Sequence, residues 1–189
     1  MCNSRVDTID KEMLDYMGKS GCWVISFGIE SGSQKILDLC KKGIKITQIE
    51  KAISLCKSSN ILTLGHFIFG LLGENEGTLK KTFKFSKSLG LDFAFYYIAT
   101  PFPGSELYER IKPKTNDWNK YDLSNQLALN IGMDLNNIQK KATKDFYLKN
   151  FSLSRIVRLI KVLGIKNFIN IIKSGLNLIY ILLISKTKK

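Results

Sequence analysis

Three short stretches carry the chemistry-bearing residues of this 189-residue chain, and each follows an apolar run. The first, Glu30-Ser31-Gly32-Ser33, sets a carboxylate beside two hydroxyls and a glycine. Such a turn offers acceptors for hydroxyl or ammonium groups and backbone donors for an anion. Its structural alternative is that Ser31 or Ser33 caps a helix opening at Gln34. In the second, Gly70-Leu71-Leu72-Gly73-Glu74, paired glycines let a ligand approach the backbone closely. The alternative there is a Glu74 placed to favour the start of the following helix. The third, Thr100-Pro101-Phe102-Pro103-Gly104, ends an apolar strand, because proline cannot continue a central ladder.

Other chemistries are poorly supported. His66 is the sole histidine and sits within an apolar run, where a satisfied interior role is expected. One histidine cannot supply the clustered ligands of a zinc site. Cys2, Cys22, Cys40 and Cys56 are too far apart for a C-x-x-C site. The chain holds neither a G-x-S-x-G elbow nor a G-x-x-x-x-G-K-[ST] phosphate loop, which argues against a serine hydrolase and an ordinary nucleotide-binding enzyme. Arg5 reads as a solvent-exposed arginine, with pairing to Glu30 as the alternative.

The elements that must position these turns follow from periodicity. Ile9, Met13, Leu14 and Met17 predict a helix over 7–20, capped by Asp7 or Thr8 and closed by Gly21. The run from Trp23 to Ile29 predicts a buried strand, followed by a helix from Gln34 to Lys42. Thr47 with Glu50 reads as a capping box for the next helix, ahead of a second strand from Ile61 to Phe69. A helix carrying Leu79, Phe83 and Leu89 leads to a third strand from Asp92 to Thr100. Strands alternating with helices make consecutive βαβ units, hence a parallel sheet covered on both faces or a barrel wall. Either architecture gathers ligands at the carboxyl ends of the strands, where all three turns lie. Beyond Ser105 the pattern is helical: polar helices over 122–150, then one or two amphipathic helices over 151–184 broken near Gly164.

Composition bounds the class. With 44% hydrophobic and 24% charged residues the chain is globular, neither disordered nor collagen-like. Its net charge of +13 is uneven: residues 140–189 hold twelve of the 29 basic residues and one of the 16 acidic ones, Asp145. A nearly neutral body therefore bears a basic tail, which argues against a uniform nucleic-acid-binding surface and leaves contact with an anionic surface open. No targeting stretch opens the sequence, and the apolar block from Leu176 to Ile184 is shorter than the ~20 residues of a membrane span. Reduced, cytoplasmic surroundings are expected, with peripheral membrane contact through the tail as the variant.

Taken in order, Phe27-Gly28-Ile29-Glu30-Ser31-Gly32-Ser33, Phe67-Ile68-Phe69-Gly70-Leu71-Leu72-Gly73-Glu74 and the stretch from Thr100 to Glu109 resemble the radical S-adenosylmethionine superfamily. The likeness is closest to members with an upstream cobalamin-binding domain, and looser to methylthiotransferases. Asn3-Ser4-Arg5-Val6-Asp7 with Gly21-Cys22, and Phe146-Tyr147-Leu148 with the basic helices after it, extend the likeness over nearly the whole chain. The resemblance implies an incomplete (β/α)6 barrel, its last three to four strands in residues 1–112, followed by a basic helical extension over 113–189. It implies S-adenosylmethionine bound against a four-iron four-sulfur cluster and cleaved to a 5′-deoxyadenosyl radical that abstracts hydrogen from substrate. Carried over, Glu30, Ser31 and Ser33 belong to the turn facing the methionine and ribose portions. Ile68 and Gly70 lie along adenine or the barrel floor, and Thr100 and Pro101 close the adenine side.

One departure matters. The superfamily holds its cluster with C-x-x-x-C-x-x-C, and no such run exists here. The expectation is therefore a C-terminal fragment, inactive alone, whose partner is the missing N-terminal half of the barrel with its cluster; whether a cobalamin accompanies it in the full-length protein the sequence leaves open. Its substrate, a small molecule or a lipid-like one, is unnamed by the sequence. The alternative is a non-catalytic binding module whose basic amphipathic tail contacts a membrane surface or a partner.

Overall fold

The computed structural model describes residues 1–111, 132–149, 153–170 and 173. The apolar runs become four parallel strands, β1 (Cys2–Ser4), β2 (Val24–Glu30), β3 (Leu62–Phe69) and β4 (Phe93–Ile98), which lie side by side in chain order. The helices α1 (Lys11–Lys19), α2 (Gln34–Leu39), α3 (Ile46–Ser58) and α4 (Glu76–Ser88) fill the crossovers. After β4 come α5 (Glu106–Ile111), α6 (Leu135–Lys149) and α7 (Leu153–Leu163). The architecture is α/β with a four-stranded parallel sheet, as expected.

Register decides which residues share a face, because side chains alternate along each strand. Phe27 pairs with Gly65 and Gly65 with Ala94, while Phe67 pairs with Tyr96 and Phe69 with Ile98. That face is buried and merges into one core with Leu14 of α1, Ile49 and Ile53 of α3, Leu79 of α4 and Phe146 of α6. The opposite face carries Ser26, Gly28, Leu64, His66, Ile68, Phe93, Phe95 and Tyr97. Along β3 and β4 this second set is half-buried or exposed in strict alternation with the first. Among the described residues the sheet is thus covered by helices on one face and open toward β4 on the other.

Several expected boundaries move for local reasons. Asp10, not Asp7 or Thr8, caps α1, its Oδ1 accepting the Met13 N–H at 2.8 Å. Helix α3 starts before the Thr47–Glu50 pair: Lys45 is the cap residue, and its N–H donates to Gln48 Oε1 at 2.7 Å. Helix α2 stops at Leu39, three residues short of the expected end. Helix α6 carries few apolar residues, yet it packs on β4 through Ala142 and Phe146. Gln139 Nε2 donates to the Tyr96 carbonyl at 2.6 Å, and Tyr147 Oη donates to the Ala94 carbonyl at 3.0 Å.

Contacts divide the chain into two units, Met1–Asn150 and Phe151–Lys189. The expected boundary at 112/113 falls at the edge of 112–131, outside the described residues, as does the first part of the polar helices expected over 122–150. In the second unit, α7 ends at Gly164, whose φ of 75° only glycine adopts freely, and helix resumes at residue 165. The break expected near Gly164 is there. No described helix is long and apolar enough to cross a membrane.

Candidate functional site

The three turns follow the carboxyl ends of β2, β3 and β4, which are neighbours in the sheet, so they share one rim. At the first, the register slips by a β-bulge between Gly28 and Glu30, and Glu30 takes a left-handed φ of 65°. A non-glycine residue in that region is uncommon, and bulges at sheet rims re-aim side chains. Here the bulge folds Glu30 back over the open face. A Cβ built on Gly28 would come 2.7 Å from Glu30 Oε1 and 3.0 Å from Lys42 Nζ, so glycine is what leaves room for both. Lys42 Nζ donates to Glu30 Oε1 at 2.8 Å in a half-buried pair. Arg5 does not reach Glu30. Its guanidinium is bidentate on Asp7 at 2.9 Å, which holds the Asp7 carboxyl below the usual range.

Ser31 and Ser33 are buried. Ser31 Oγ bonds Thr82 Oγ1 of α4 at 2.9 Å and accepts the Ser33 N–H at 3.2 Å, while Gly32 N–H donates to Thr82 Oγ1 at 3.0 Å. The Ser-Gly-Ser segment is thereby pinned to α4. Ser33 occupies the cap position of α2, but its side chain makes no capping bond. The second turn is closed by Glu74, whose Oε2 accepts from Gly70 N–H at 2.6 Å and Leu71 N–H at 3.2 Å. Asn75, not Glu74, caps α4. Burial pushes the Glu74 carboxyl up to about 7 against those two donors, and its Oε1 is buried with no hydrogen-bond partner. Gly70 needs its freedom at φ 86° to make the turn. Ile68 is half-buried on the open face, and Thr100 and Pro101 are buried just past β4.

Residues 39–41, Leu71, Leu72 and α5 line a cavity of about 180 Å³ beside the rim. That is below the ~300 Å³ at which sites for whole small molecules begin. The described residues offer a nucleoside a glycine turn and polar rim groups but do not enclose one.

The reading of His66 as a satisfied interior residue is half right. It is satisfied, with Nε2 2.6 Å from Ser26 Oγ and Nδ1 3.1 Å from Tyr97 Oη. It is not in the core: it stands half-buried on the open face, beside the Glu30–Lys42 pair. Burial lowers its pKa, and the charge of Glu30 opposes that shift. Ser26, Lys42 and Tyr97 carried no sequence motif, and only the register reveals them.

A four-iron cluster does not fit these residues. Cys2 and Cys22 sulfurs lie 3.9 Å apart at the amino ends of β1 and β2, whereas Cys56 is in the core. Among the described residues no three His, Cys, Asp or Glu side chains converge on a metal position.

Residues 1–86 match the model of the Radical SAM superfamily. The chain is 34% identical over 154 residues to an uncharacterized methyltransferase of Pyrococcus horikoshii, covering 78% of this chain and 34% of that protein. It is 33% identical over 136 residues to the anaerobic magnesium-protoporphyrin IX monomethyl ester cyclase of Rubrivivax gelatinosus, covering 70% of this chain and 24% of the cyclase. The chain thus spans about a quarter to a third of the length of these curated relatives. Among solved structures, Elp3 of Methanocaldococcus infernus superposes with a TM-score of 0.53 at 30% identity, over 59% of this chain and 27% of that one. Coproporphyrinogen III oxidase of Escherichia coli, described as a radical SAM enzyme, superposes with a TM-score of 0.59 at 15% identity, over 77% of this chain and 31% of that one. The last likeness is one of fold alone.

Proposed function

From kinship with the radical SAM superfamily over residues 1–86, we propose that the chain supplies the S-adenosylmethionine-facing wall of an incomplete (β/α)6 barrel. Glu30, Ser31, Ser33, Ile68, Gly70, Thr100 and Pro101 belong to the rim that holds the cofactor. In this reading Glu30 and its Lys42 partner meet the charged amino-acid portion, and the Gly70 turn with Thr100 and Pro101 flanks the adenine. Ser31 acts from beneath, by fixing the first turn on Thr82, and Ser33 is tied to it through its N–H on Ser31 Oγ. The chemistry gained from the cofactor is one-electron cleavage and hydrogen abstraction, and it needs a cluster. The cluster's three cysteines come from outside these 189 residues, because no C-x-x-x-C-x-x-C run exists among them. A cobalamin, where the full-length protein has one, belongs with that same outside portion. The observation that carries this reading is the alignment of three functional turns on adjacent parallel strand ends.

Calorimetry with S-adenosylhomocysteine tests it. Weak saturable binding is expected, reduced about tenfold in Gly70→Val, where a branched side chain cannot take the left-handed turn. Reconstitution of the isolated chain with iron and sulfide is expected to give no cluster absorbance and no release of 5′-deoxyadenosine. A brown, turnover-competent chain would overturn the proposed division of labour.

A second reading rests on α7. Leu153 and Val157 are 77% and 57% exposed there, on a helix that also carries Arg155, Arg158 and Lys161. Basic and apolar residues on one short helix suit peripheral attachment to an anionic membrane.

A further inference from the structure

Ser26, His66 and Tyr97 form an unbroken row of hydrogen bonds across β2, β3 and β4 on the open face. The two links measure 2.6 Å and 3.1 Å. A neutral imidazole has one N–H and one lone pair, so the row has a direction. With Nε2–H donating to Ser26 Oγ, Nδ1 accepts from the Tyr97 hydroxyl. Burial keeps the imidazole below its ordinary value and raises the Tyr97 phenol, so the row carries no charge near neutral pH. The charged groups facing it are Glu30, folded over Gly28, and Lys42, which pairs with Glu30. Gly28 is the strand partner of His66, so a proton arriving on the ring meets the Glu30 carboxylate. Phe95 is 48% exposed, with its ring centre 5.7 Å from that of His66 and 6.4 Å from that of Tyr97. It forms an apolar shelf next to the phenol.

We propose that this row is a proton-accepting relay for a substrate of one class, an uncharged ring compound bearing an acidic hydroxyl or N–H. The inference rests on the barrel reading for one point, that the open face lines a ligand-holding lumen. Seated on Phe95, the substrate gives its proton to the Tyr97 oxygen while the Tyr97 proton passes to Nδ1 of His66. One substrate O–H or N–H bond breaks, one Nδ1–H bond forms, and the Tyr97 O–H bond is exchanged. The products are a substrate anion and an imidazolium, with no change in oxidation state. Tyr97 touches the substrate, His66 acts through it, and Ser26 fixes the tautomer.

Having a single histidine makes the test clean. The full chain, labelled with 15N-histidine, is titrated with 4-nitrophenol in buffer one pH unit below the phenol's own midpoint. Bound 4-nitrophenol is expected to show its phenolate absorbance while both imidazole nitrogens move together to protonated positions. Tyr97→Phe, with an unchanged circular dichroism melt, is expected to cut the phenolate fraction at least tenfold. Glu30→Gln is expected to cut it less. Failure of the phenol to bind, a bound phenol that stays neutral, or a Tyr97→Phe chain that converts as well as the parent overturns the relay. Calorimetry with S-adenosylhomocysteine on the same samples separates the two ideas, since a chain that ionises the phenol but ignores this ligand removes the rim assignment and leaves the relay standing.

Discussion

At the residue scale, Glu74 joins fold and pH. Its folded pKa of about 7 lies above the ordinary 4.5 because burial disfavours the anion. A carboxyl shifted upward contributes its stabilisation fully below the unfolded value and loses it as pH climbs through the folded one. Between about pH 4.5 and 7 the loss is on the order of 3 kcal/mol. Thermal melts across that window should fall more steeply for the parent than for Glu74→Gln, whose amide oxygen still accepts from Gly70. Equal slopes would mean the carboxyl is not held this way. Much of the rim could be read from the sequence, because a carboxylate or glycine just past an apolar run has few other places to be. The partners could not. Lys42 for Glu30 and Thr82 for Ser31 depend on crossovers of 12 and 51 residues, and nothing in local sequence distinguishes Lys42 from Arg5 as the nearer cation.

At the scale of elements, the strands were legible because near-continuous apolar runs have one stable use in a βαβ chain. The same continuity hid the open face. In Leu62-Thr63-Leu64-Gly65-His66 the polar Thr63 is on the buried face while Leu64 and His66 share the open one, so polarity does not mark the faces and the side His66 takes is read from its pairing with Gly28 and Phe95. Helix α6 illustrates the opposite limit: its sequence is mostly polar, and three buried residues, Leu135, Ala142 and Phe146, attach it to the body. Phe146 is fully buried and meets the Tyr96 ring edge-on at a centroid distance of 6.3 Å. Phe146→Ala should cost about 3–5 kcal/mol, read as a drop in denaturation midpoint. A change below about 1 kcal/mol would show that α6 is not integral to the sheet's helical cover.

At the scale of the whole molecule, positive charge is concentrated toward the C-terminal end, in residues 140–189. Of the twelve basic residues there, Lys140, Lys141, Lys144 and Lys149 lie on α6, in the unit that carries the sheet and rim, and the others lie beyond Asn150. If that segment serves as a peripheral anchor, the chain should sediment with phosphatidylserine-containing vesicles at low salt. Release is expected as ionic strength rises, with little binding to vesicles of phosphatidylcholine alone. Salt-independent absence of sedimentation would remove this reading.

Strand β1 has one sheet neighbour among the described residues and leaves a row of backbone amides and carbonyls at that edge, whereas on β4 the Ala94 amide and carbonyl and the Tyr96 carbonyl are bonded by Tyr147 and Gln139 of α6. Such rows are templates for another chain's backbone. An extended segment of another chain is therefore expected to add alongside β1 by main-chain pairing. The same lateral adhesiveness would draw identical copies together.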